Sequence, residues 1–133
     1  MNKFLICICL LFSTSAFADY QVIISKRHQS MSVYEDGDLL DVWPVSTARR
    51  GYYTPTGNFR PYSYQPMHYS KKYDNAPMPH SIFFSGGYAI HATPHVYSLG
   101  RPASHGCVRL SPKNASILYE MTKGASTTIT IKE

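Results

Sequence analysis

Ser32-Val33-Tyr34-Glu35-Asp36-Gly37-Asp38-Leu39-Leu40-Asp41-Val42-Trp43 reads as two strands folded back on each other. Asp-Gly between two strand-forming runs is a strong hairpin signal, because a two-residue turn needs positive φ angles that these residues tolerate. Working outward, Tyr20-Gln21-Val22-Ile23-Ile24-Ser25 reads as a strand on the N-terminal side. On the C-terminal side, apolar strands are predicted at Ser81-Ile82-Phe83-Phe84 and Tyr88-Ala89-Ile90-His91, with Ser85-Gly86-Gly87 as their turn. The stretch from Thr47 to Pro79 carries Pro55, Pro61, Pro66, Pro77 and Pro79 and shows little periodicity. It is predicted as long loops with one short strand, the kind of surface where binding residues concentrate.

Beyond Cys107-Val108-Arg109-Leu110 the pattern changes to a helix. Ser111 is a good N-cap, Pro112 fits the first helical position, and Gly124 sits where a C-terminal cap belongs. Ala115, Leu118, Tyr119 and Thr122 then share one face for burial. Thr127 to Ile131 alternates as a last strand. Many strands and one short helix imply a mostly β domain, a β-sandwich or open barrel with the helix packed alongside.

The first 18 residues stand apart. Lys3 supplies a charge, Phe4 to Phe12 is an almost unbroken apolar run, and Ala16-Phe17-Ala18 has the form of a signal-peptidase site. The run is short of the roughly 20 residues a spanning helix needs. Residues 1–18 are therefore expected to be a signal peptide, with export to the periplasm first and the extracellular space as the alternative, and no stable membrane anchor afterwards. Residues 19–133 would form one domain, expected to act as a monomer. The predicted mature chain has 115 residues, with 12 basic and 8 acidic side chains. The basic residues are scattered, and export argues against a nucleic-acid partner.

Two of the three cysteines, Cys7 and Cys9, lie in that apolar run, so the predicted mature chain keeps only Cys107. It then has no partner for an internal disulfide, and a lone thiol in an oxidising compartment is either buried or used. A cysteine nucleophile needs a base, a group to orient the base, and donors for an oxyanion. His91 ends a predicted strand, and His105 lies two residues from Cys107, on the same face if the segment is extended. Gly106 permits unusual backbone angles and close approach of a substrate. The N–H groups of Gly106 and Cys107 are candidates for the oxyanion site. On residue types alone, an inert buried Cys beside a core His stays open.

Ile90-His91-Ala92-Thr93, Leu99-Gly100 and Ser104-His105-Gly106-Cys107-Val108-Arg109-Leu110 together closely resemble the signature of the YkuD-type L,D-transpeptidases. Thr54-Pro55-Thr56-Gly57-Asn58-Phe59 resembles that family's Thr-Pro-x-Gly-x-Phe loop. Met78-Pro79 resembles the segment leading to its first His, and the opening hairpin with Val45-Ser46-Thr47 resembles its N-terminal strands. The resemblance implies a mostly β fold and attack on the amide between the L-centred diamino acid and the D-Ala of a peptidoglycan tetrapeptide. Peptidoglycan stems would be donor and acceptor, with no cofactor. It also implies that Cys107 carries the acyl group and His91 is general base and then acid, oriented by the carbonyl of Ala92. His105, Gly106 and Ser104 would complete the catalytic segment, while Arg109, Ala92 and Met78 would meet substrate. Arg109 is the candidate for a substrate carboxylate.

Three departures from the family pattern stand out. Ala92 replaces Gly or Ser, Ala48-Arg49-Arg50 replaces a glycine after the hairpin, and His80 replaces an aromatic or amide residue. Ser104 has a plainer reading as a loop hydrogen-bonder, and Arg109 as a surface ion-pair partner. His28, His68 and His80 read as solvated or loop histidines. The tyrosines between Tyr52 and Tyr73 either pack the loops or line a groove, with packing favoured. Rival functions are a hydrolase of the same fold (an L,D-carboxypeptidase or an antibacterial effector), a metal protein and an inactive wall-binding module. His91, His95, His105 and Cys107 are possible zinc ligands, but their spacing matches no common zinc motif, so no metal is expected.

Overall fold

Asp36 (φ +48°) and Gly37 (φ +86°) make the expected tight turn. They close a hairpin of β2 (Ser30–Glu35) and β3 (Asp38–Pro44) in a computed structural model that describes residues 8–11 and 17–133. Most of the predicted signal peptide lies outside those residues. The chain builds two sheets. The first has the order β3-β2-β1-β9-β4, where β1 is Asp19–Ser25, β9 is Ser126–Lys132 and β4 is Gly57–Phe59. The second has the order β5-β6-β7-β8, from Ser63–Ser70, Ala76–Ser85, Tyr88–Ala92 and Val108–Leu110. The single α-helix among the described residues, α1 (Pro112–Thr122), packs on β6, β7 and β8.

Alternation along the strands decides what each sheet buries. Val22 and Ile24 of β1 point inward beside Ile129 and Ile131 of the parallel strand β9, while Thr128 and Thr130 point out. Ile82, Phe84, Ile90, Val108 and Leu110 do the same from the second sheet. Ala115, Leu118 and Tyr119 of α1 join one core shared by both sheets, and Thr122 is buried on the same helix face. The helix starts as expected, with the Ser111 side chain accepting from the Asn114 N–H at 3.2 Å. It ends before Gly124, which takes φ +77°.

The region read as loops is instead largely strand. β5 and the first half of β6 form a two-stranded ribbon, with Met67 opposite Pro79 and Tyr69 opposite Pro77. Three prolines are tolerated because β5 is an edge strand and β7 pairs only with Ile82 onward, leaving that half of β6 without a second neighbour. Met78 is the one buried apolar residue of this half of β6 and its partner β5, so the ribbon carries little apolar alternation. It bends at His80, which has φ +51°, and Ser81 donates to the Met78 carbonyl at 2.7 Å across the bend. His80 is thus no free loop histidine, since its ring stands edge-on to Tyr119 at 5.2 Å. The ribbon tip, a one-turn 3-10 helix at Lys71–Tyr73, helps line a cleft over the outer face of the second sheet.

Candidate active site

Parallel pairing of β7 and β8 places the key side chains. Ile90 lies opposite Val108, His91 opposite Arg109, and Ala92 opposite Leu110. Because successive residues face opposite sides, burying Ile90, Ala92, Val108 and Leu110 in the core turns His91 and Arg109 outward together. Cys107, two residues before Arg109, lies on that outward face. All three line a cleft of about 840 Å³ under the ribbon tip. Met78, Phe83 and Ala89 form a small apolar floor against which Cys107 packs.

His91 is buried, and its Nδ1 lies 2.8 Å from the Ala92 carbonyl. A carbonyl only accepts, so Nδ1 carries the proton and Nε2 keeps its lone pair. Burial pushes the imidazole down to about 4, against a smaller upward pull from the Ala92 bond, with Arg109 and His68 adding to the depression. His91 is therefore a neutral base at neutral pH. Burial also pushes the Cys107 thiol up, partly opposed by the Ala89 backbone and the Arg109 charge. Its hydrogen bond goes to the Gly87 carbonyl at 3.9 Å. Base and thiol both rest uncharged.

The turn carrying Cys107 is braced from several sides. Ser104 is fully buried, accepts from the Gly106 N–H at 3.0 Å and donates to the Cys107 carbonyl at 2.5 Å. That bond occupies the Gly106 N–H, which the sequence suggested for an oxyanion. Gly106 has φ +143°, and a Cβ there would lie 2.7 Å from the Tyr88 ring and 2.9 Å from the Tyr53 carbonyl. The room that glycine provides is thus filled by the protein's own groups. Thr54 donates to the Gly106 carbonyl at 2.7 Å and accepts from the Ala48 N–H at 2.9 Å. The Thr47 carbonyl accepts from Ala103 and Ser104, both at 3.0 Å. Sequence reasoning assigned no role to Thr54, although the Thr54-Pro55-Thr56-Gly57 motif pointed at its loop.

His105 stands between two tyrosines, with ring centroids 4.6 Å from Tyr52 and 4.3 Å from Tyr73. It is held below the usual imidazole range by loss of water first, then by Arg49, Arg109 and Lys72. Of the tyrosines in the 52–73 stretch, Tyr64 packs into the core on Tyr119, whereas Tyr73 lines the cleft. His68 also lines it, edge-on to Phe83 at 5.0 Å and 2.8 Å from Gln65 Oε1 through Nδ1. Ala92 sends its methyl group into the core and meets His91 only through its carbonyl. Arg109 is half-buried, with one bond to the Ala103 carbonyl at 3.4 Å. His95 sits at the far rim beside Tyr97. Among the described residues, no three His, Cys, Asp or Glu side chains are grouped to hold a metal ion.

The fold that carries this cleft has solved counterparts. The chain is similar to an L,D-transpeptidase from Mycobacterium smegmatis, with a TM-score of 0.81 and 25% identity over 87% of this chain and 59% of that one. An L,D-transpeptidase from Stackebrandtia nassauensis gives 0.77 and 29% over 90% and 57%. A third, from Xylanimonas cellulosilytica, gives 0.74 and 25% over 90% and 63%. The chain thus spans less than two thirds of each of these proteins. No match is found among curated proteins. Residues 19–131 match the YkuD family, described as an L,D-transpeptidase catalytic domain, and the chain belongs to that family.

Proposed function

We propose that the protein is an exported peptidoglycan L,D-transpeptidase in which Cys107 is the nucleophile and His91 the acid–base. The observation that carries this reading is the orientation of His91. Its Nδ1–H is committed to the Ala92 carbonyl, so Nε2 is left to take a proton in the cleft that Cys107 also lines. Start of β1 at Asp19, directly after the proposed cleavage site, supports the signal-peptide reading.

The reaction begins with a neutral pair. As the Cys107 sulfur forms its bond to the carbonyl carbon of the diamino acid–D-Ala amide, the thiol proton passes to His91 Nε2. The oxyanion that forms is held by the Cys107 N–H rather than by Gly106. Collapse breaks the C–N bond, and His91 returns the proton to the departing D-Ala amine, leaving a thioester on Cys107. An amine from a second stem, deprotonated by His91, then attacks the thioester; the C–S bond breaks, His91 returns the proton to the Cys107 sulfur, and the new amide is a 3–3 cross-link. Arg109, on the same face of β8, takes a substrate carboxylate. Met78 shapes the floor on which the stem lies.

The test is incubation of residues 19–133 with purified tetrapeptide muropeptides, followed by mass spectrometry. Cross-linked 3–3 dimers are expected for the wild type and none for Cys107→Ala. Tripeptides alone would make the protein an L,D-carboxypeptidase, and an unchanged substrate would overturn the enzymatic reading.

A further inference from the structure

Along the end of β5 the side chains alternate, with Met67 and Tyr69 exposed and His68 and Ser70 turned to the cleft. His68 stands directly opposite Met78 in the pairing of β5 with β6, and its ring is edge-on to Phe83 at 5.0 Å. Met78 and Phe83 belong to the apolar floor against which Cys107 packs, so this imidazole adjoins the patch that carries the nucleophile. A charge on His68 is also felt at His91, whose ring it helps to depress.

The His68 ring is held in one tautomer. The Gln65 NH2 group donates to Ser63 Oγ at 3.4 Å, which turns the amide oxygen towards His68 Nδ1, 2.8 Å away. An amide oxygen only accepts, so Nδ1 carries the proton and Nε2 keeps a lone pair with no partner among the described residues. The Ala92 carbonyl fixes His91 in the same way. Other acceptors in the cleft are engaged. Ser104 is spent on Gly106 and Cys107, the Thr93 hydroxyl accepts from the His95 N–H at 3.1 Å, and the Gly87 carbonyl meets the thiol. His91 Nε2 is needed for the proton in transfer. A peptide settling in the cleft loses water from its own N–H groups, and each of them then needs an acceptor. Lys71, Lys72 and Arg109 line the cleft against Asp74 as its lone carboxylate, which disfavours an ammonium there and selects a neutral N–H.

Resting on the transpeptidase reading, we propose that His68 is a substrate-binding residue whose Nε2 accepts a hydrogen bond from a main-chain N–H of the donor stem. The contact ties the stem to the wall above Met78 and Phe83 and so steadies the carbonyl that Cys107 attacks. The fit depends on a hydrogen atom: an amide supplies it, whereas an ester of the same shape faces the ring with lone pairs only.

A set of tetrapeptides, each with one amide N–H replaced by an ester oxygen, is titrated by calorimetry into Cys107→Ala beside the all-amide parent. One ester is expected to bind about tenfold more weakly than the parent, the size of one neutral hydrogen bond replaced by facing lone pairs. With His68→Phe added, which keeps a ring against Phe83, the parent and that ester are expected to bind within about twofold of each other. His68→Gln, whose Oε1 restores an acceptor near the place of Nε2, is expected to keep most of the discrimination. A purely structural role would weaken the parent and every ester alike. That result, a discrimination that survives in His68→Phe, or no ester distinguished at all, overturns the proposal. Turnover of the parent by the wild type, followed by mass spectrometry, separates the two readings. Discrimination in binding without turnover keeps the His68 contact and sinks the reaction; turnover without discrimination does the reverse. Failure of every peptide to bind, with no turnover, overturns both.

Discussion

Replacing Thr54 by valine keeps the shape of the side chain and removes only its hydroxyl. That hydroxyl donates to the buried Gly106 carbonyl at 2.7 Å and accepts from the Ala48 N–H at 2.9 Å. Valine leaves both groups without a partner. A buried carbonyl left unpaired costs about 1–3 kcal/mol, and the half-buried N–H adds about 0.5–1.5 kcal/mol. The expected loss is about 2–4 kcal/mol, or about 10 °C in Tm for a domain of this size. Thr54→Ser keeps the hydroxyl and gives up one methyl group, about 0.8 kcal/mol. Urea unfolding of the three proteins, followed by tyrosine and tryptophan fluorescence, gives the comparison directly. Turnover is expected to fall more in Thr54→Val than its unfolded fraction explains, because the Gly106 carbonyl sets the turn that aims Cys107. If Thr54→Val is no less stable than Thr54→Ser, the brace is not what holds the turn.

Gly106→Ala combines a positive φ with overlaps on the Tyr88 ring and the Tyr53 carbonyl. It is expected to cost about 2–5 kcal/mol, measured by urea unfolding, and stability within about 0.5 kcal/mol of wild type would contradict the packing. His91 drops from an ordinary value of 6.5 to about 4 on folding, so below pH 6.5 the unfolded chain binds a proton that the folded one does not. Its contribution is intact above pH 6.5 and is lost progressively towards pH 4, about 3 kcal/mol in all. His91→Gln should flatten that part of the stability–pH curve, and an unaltered slope would refute the assignment. Because burial raises the Cys107 thiol, alkylation by iodoacetamide should keep accelerating through and beyond the ordinary thiol range. A plateau already reached near pH 6 would instead reveal a resting thiolate–imidazolium pair.

Local signals were legible wherever local physics is decisive. The Asp36-Gly37 turn, the alternation of Thr127 to Ile131 and the Ser111-Pro112 helix start each depend on neighbours within a few residues. The helix face of Ala115, Leu118, Tyr119 and Thr122 is buried as its spacing required. β5 and the first half of β6 escaped because an edge ribbon need not alternate and tolerates Pro66, Pro77 and Pro79. His80 escaped with them, since its place against Tyr119 depends on a bend in that ribbon.

The hairpin that opens the fold, the lone Cys107 of the predicted mature chain and the family to which it belongs were all determined by residue order alone. Tertiary structure decided which groups are free. The Gly106 N–H is spent on Ser104, Thr54 braces the turn from 52 residues away, and Tyr52, His105 and Tyr73 meet from three segments. Hydrogen-bond partners and charge neighbours at such separations are set by how the ribbon crosses the sheet. No spacing along the chain encodes them, whereas a turn or a strand is settled by the residues beside it.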